Sequence, residues 1–99
     1  MQSSLSFATM AYKSAVIDSL EMEIAGYAGV DNLMYIEQSA AWIGSASCAA
    51  GAAYFDAKAN PHFAATALAA RASDRTLRVY VDDTLPKING YCRVINLLF

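Results

Sequence analysis

The sequence predicts an α+β domain: three helices, the second long and rich in Ala, Gly and Ser, then a C-terminal antiparallel β-hairpin, all in a single domain over residues 1–99. Three observations predict it. From Gln38 to Phe55 run 18 residues without a formal charge, most of them Ala, Ser or Gly. A helix with no charged face has none to offer solvent, so it must be enclosed by protein or by lipid. The dipeptide Asn60-Pro61 then punctuates the chain, because proline cannot continue a helix but suits the first position of a new one. After Ser73-Asp74 the apolar period shortens to two, the mark of a half-buried strand.

The first helix is expected from Leu5 to Ala25. Val16, Leu20 and Ile24 recur at steps of four, with Ile17 beside them, while Lys13, Asp18, Glu21 and Glu23 mark a wet side. Gly26 and Gly29 end it, and Asp31 is placed to cap the next helix through its carboxylate. That second helix is expected from Asn32 to about Ala59. Leu33, Ile36, Ala40, Ile43, Ser47, Ala50 and Tyr54 give one apolar seam. Beside it Ala41, Gly44, Cys48, Gly51 and Phe55 form a second seam, suited to close helix packing or self-association because small side chains let backbones approach. The third helix is expected from Pro61 to about Ala72, with Asn60 as its cap.

Leu77, Val79 and Val81 alternate with Arg78, Tyr80 and Asp82, the first hairpin strand; Tyr91 to Phe99 reads as the second, with its Leu-Leu-Phe end expected to be docked. Two unpaired edges would remain, and pairing across a dimer axis would use one of them.

Composition points to association. Apolar residues make up 57 % of the chain and charged ones 16 %, against about 45–50 % and about 25 % in ordinary domains. One lysine faces five carboxylates up to Phe55, and six Lys/Arg face four Asp beyond it, an asymmetry able to steer a partner. Net charge is −2, which does not favour nucleic acid. Arg71, Arg75, Arg78 and Arg93, with Tyr80 and Tyr91 for stacking, are offset by Asp74, Asp82 and Asp83. A lipid span is disfavoured, since the uncharged run holds only Trp42, Ile43, Tyr54 and Phe55 as large apolar groups. Cys48 and Cys92 are expected to be buried, reduced thiols, and the N-terminus lacks a signal-peptide pattern; a cytoplasmic location is therefore expected.

Chemistry-bearing patterns are sparse. One histidine and two distant cysteines do not suit a metal site, and there is no glycine-rich phosphate loop. No catalytic residue, metal or cofactor is therefore assigned. His62 is best read as a surface residue at a helix start, where the helix dipole opposes its protonation. The expected function is a small stoichiometric protein-interaction module: an inhibitor, an immunity-like protein or a regulatory subunit. It is expected to form a homodimer and to bind another protein through Tyr80, Asp82, Asp83 and Tyr91. The alternatives are a small enzyme using His62 with Asp56 or Asp74 as an acid–base pair, and a membrane-associated protein.

Overall fold

The computed structural model describes residues 9–23 and 32–99. Among them are seven strands: β1 (Met10–Ala15), β2 (Ser19–Glu23), β3 (Leu33–Glu37), β4 (Ile43–Gly44), β5 (Ala52–Asp56), β6 (Leu77–Asp82) and β7 (Cys92–Leu98). One helix, α1 (Pro61–Ser73), lies between β5 and β6. The three-helix expectation is therefore corrected. The chain read as the first helix holds β1 and β2, and the chain read as the long second helix holds β3, β4 and β5. Gly26, Gly29 and the cap Asp31 lie outside the described residues.

The strands form one mixed sheet in the order β2-β3-β5-β7-β6-β1-β4. Every neighbouring pair is antiparallel except β5 and β7, which run parallel with Tyr54 opposite Arg93. A parallel pair needs a long connection, and α1 with β6 supplies it. The expected C-terminal pair is β6 with β7, embedded in a wide sheet and not a free hairpin. A register shift at Tyr80/Val81 sets Tyr80 opposite Asn96 and Val81 opposite Val94. Leu98 and Phe99 are exposed, which corrects the docked end; the Arg75 guanidinium sits 4.8 Å from the Phe99 ring.

Successive side chains on a strand point to opposite faces. On the inner face Met34, Ile36, Ala53, Phe55, Leu77, Val79, Val81, Cys92 and Val94 make the main core. Ala67 and Ala70 of α1 are buried against it, and Phe63 meets Phe55 edge-on with ring centroids 5.6 Å apart. Pro61 opens α1, although Asn60 makes no side-chain cap bond there; its Nδ2 donates to Asp56 O at 3.0 Å. Asp74 closes the helix in the left-handed region at φ 55°, a conformation that Asp tolerates better than most residues.

The rest of the inner face is covered by the segment after β3. Trp42, Ala46 and Cys48 pack on the core, and Cys48 is joined to Cys92 in a disulfide with 5.4 Å between Cα atoms. The expectation of two reduced thiols is thereby corrected: Cys92 points inward from β7, and the covering segment brings Cys48 to it. The single chain encloses the uncharged run only in part. Residues 52–55 are buried on both faces of the sheet, yet Ala41, Ile43, Gly44, Ser45, Ser47, Ala50 and Gly51 are exposed in the single chain. No described helix is long and apolar enough to cross a membrane.

Candidate binding face of the sheet

The outer face carries the alternate residues of the same strands, and two tyrosine clusters stand on it. In the first, cross-strand partners Tyr12 and Tyr80 place their ring centroids 5.7 Å apart. The Arg78 guanidinium lies 4.8 Å from the Tyr12 ring, and its Nη1 donates to the Tyr80 hydroxyl at 3.4 Å. This cation–aromatic stack borders an apolar groove of about 280 Å³ lined by Met10, Ala11, Tyr12, Ile43, Gly44 and Tyr80. Gly44, at φ 132°, lets β4 lie against β1: a Cβ there would stand 2.5 Å from Met10 O.

The second cluster joins Leu33, Tyr35, Tyr54 and Ile88, with Tyr91 packed on it. Tyr91 meets Tyr35 edge-on with centroids 6.1 Å apart. The loop from Asp83 to Tyr91 covers this half of the face and is held down at two points. The Tyr54 hydroxyl donates to Pro86 O. Ile88 and Tyr91 form a bridge around Asn89 and Gly90, both at positive φ. Burial pushes the Tyr54 pKa up, against the opposing field of Arg93. Between loop and sheet lies a cleft of about 300 Å³.

A polar node lies under the inner cover, and no motif in the sequence marks it. Lys13 points inward from β1 and is only 1 % exposed. Its Nζ donates to Ala50 O at 2.7 Å and to Gln38 O at 3.3 Å, and lies 4.3 Å from the Trp42 ring centroid. Gln38 in turn donates through Nε2 to Ala15 O and Leu77 O, each at 2.9 Å. Burial lowers the Lys13 pKa, and the Asp18 carboxylate opposes this. The one available signal was a lone lysine in the apolar run Ala11-Tyr12-Lys13-Ser14-Ala15-Val16-Ile17.

The residues assigned from sequence fall at separate places. Of the expected helical seam, Ala41 is exposed before β4, Gly44 is in β4 and Cys48 is in the disulfide. Gly51 faces the Tyr91 ring, and Phe55 is fully buried in the inner core. With the helix gone these five share no face. Tyr80 and Tyr91 stand in different aromatic clusters. Asp82 accepts from the Thr84 backbone N–H and hydroxyl through Oδ1, which lowers its pKa, and Asp83 Oδ2 accepts from the Ser47 N–H at 2.7 Å. Both aspartates thus serve turns and loop docking. Arg71, Arg75, Arg78 and Arg93 are dispersed over the end of α1, the Phe99 ring, the Tyr12 ring and the cleft.

His62 is exposed in the first turn of α1, with no hydrogen bond or ion pair to Asp56 or Asp74 among the described residues. No group of three or more potential metal ligands occurs among the described residues. No protein-family model, curated protein or solved structure matches this chain.

Proposed function

We propose that this chain is a small stoichiometric protein-binding module that assembles with further copies of itself along the β4 side of its sheet. The observation that carries the reading is the absence of charge and proline on that side, where β4 itself is only two residues long. An exposed strand edge is normally guarded by shortness, charge, proline or a cover, because its free N–H and C=O groups template further pairing, and β4 has only the first of these. Here β4 stands last in the strand order among the described residues, Ile43 is 55 % exposed, and no charged or proline residue occurs from Gln38 to Phe55. The groove between Ile43 and Tyr80 adds apolar and aromatic surface of the kind that anchors interfaces.

Inhibitor, immunity-like and regulatory roles all fit a binder of this kind. The Cys48–Cys92 bond favours an oxidising compartment over the cytoplasmic location expected from free thiols.

Amide hydrogen exchange across a concentration series tests the reading. Protection of residues 41–46 should rise with protein concentration while that of α1 stays constant. Exchange at residues 41–46 that is independent of concentration would count against it.

A further inference from the structure

The cleft under the loop between β6 and β7 contains a cation that makes no ion pair with another described residue. Arg93 projects half-buried from β7, between Tyr54 on β5 and Asp82 on β6. No hydrogen bond or ion pair joins its guanidinium to another described residue. The nearby carboxylates keep their charge but are turned toward other donors. Asp82 Oδ1 is held by Thr84, and Asp56 Oδ1, at the rim of the cleft, accepts the backbone N–H groups of Lys58 and Ala59 at 2.9 and 3.1 Å. Lys87 also lines the cleft, but its Nζ donates to Ser47 O. Arg93, half-buried as a residue, keeps its five guanidinium donors free of acceptors among the described residues.

Apolar residues form part of the lining beside Asp56, Lys87 and Arg93, and the loop that closes it is fixed. Leu33, Pro86 and Ile88 line the cleft with Tyr54, and the Tyr54–Pro86 hydrogen bond and the Ile88–Tyr91 bridge hold the loop over the sheet. The volume of about 300 Å³ lies at the low end of small-molecule sites.

We propose that this cleft binds a small organic carboxylate, its two oxygens paired with the Arg93 guanidinium and its apolar body against the exposed Pro86 ring at the mouth of the cleft. The planar fork of arginine matches a carboxylate in a two-point contact. A phosphate dianion fits less well, because the Asp56 carboxylate in the same cleft repels a double negative charge more than a single one.

Titration of the full chain with benzoate, benzamide and inorganic phosphate, followed by backbone amide shifts, tests this. Benzoate should give saturable shifts centred on Tyr54, Ile88 and Arg93, and benzamide, of the same shape without the charge, should give none. Arg93→Gln should weaken benzoate binding about tenfold or more, while Arg93→Lys, which keeps the charge without the fork, should fall between. The comparison of benzoate with benzamide on the unaltered chain decides the matter even if a variant fails to fold. Equal binding of the two, no saturable benzoate shift, phosphate binding in place of benzoate, or full benzoate affinity in a folded Arg93→Gln protein would each overturn the proposal.

Discussion

Lys13 Nζ donates a 2.7 Å hydrogen bond to the carbonyl of Ala50, 37 residues further along the chain. The same ammonium reaches Gln38 O, so one buried side chain ties β1 to both ends of the segment that covers the inner face. Lys13→Ala removes that tie, leaves two carbonyls without their donor and opens space beside Trp42. The expected cost is about 3 kcal/mol of unfolding free energy, read from urea denaturation. Lys13→Met keeps the packing and should cost less.

The same lysine gives a pH dependence whose sign follows from its burial. Its folded pKa is lowered, so between the folded and unfolded values the unfolded chain binds more protons. Stability should therefore rise with pH through that alkaline window. Tyr54 acts oppositely: its raised folded pKa contributes stability that is full below the unfolded value and lost as pH rises through the folded one. Denaturation curves of Lys13→Met and Tyr54→Phe against pH separate the two. The rise should vanish in the first variant and the fall in the second.

Asp82 sets the acid side. The Thr84 backbone N–H lowers its pKa, so its contribution is present above the unfolded carboxylate value and lost as pH falls through the folded one. Asp82→Asn should flatten the acid limb of the stability profile, as measured by thermal melts between about pH 2 and 6.

The disulfide closes a loop with a sequence separation of 44. Chain entropy assigns such a cross-link about 2–4 kcal/mol. Cys48→Ser with Cys92→Ser should lower stability by that amount. Thiol titration in denaturant should find free thiols only after reduction.

The legible elements were those with one wet face. Leu77, Val79 and Val81 are buried while Arg78, Tyr80 and Asp82 are half-exposed, so β6 announces itself by alternation. Pro61 marks the start of α1 for an equally local reason. By contrast, Leu33 to Ile36 and Ala52 to Phe55 are buried on both faces, so β3 and β5 show no period of two. Their continuous apolar runs, joined through Ala, Ser and Gly, fit a helical stripe equally well. Val16 and Leu20, read as one helix face, fall in the connection after β1 and in β2 respectively. The cleft was not legible, because the isolation of Arg93 depends on Asp56 and Asp82 being engaged by turns.

Light scattering coupled to gel filtration, on the unaltered chain and on Ile43→Lys, tests the self-association reading most directly. The unaltered chain should show a mass of two or more copies at micromolar concentration. Ile43→Lys, with an unchanged circular dichroism spectrum, should give the mass of one. A single-chain mass for the unaltered protein at every concentration would contradict it.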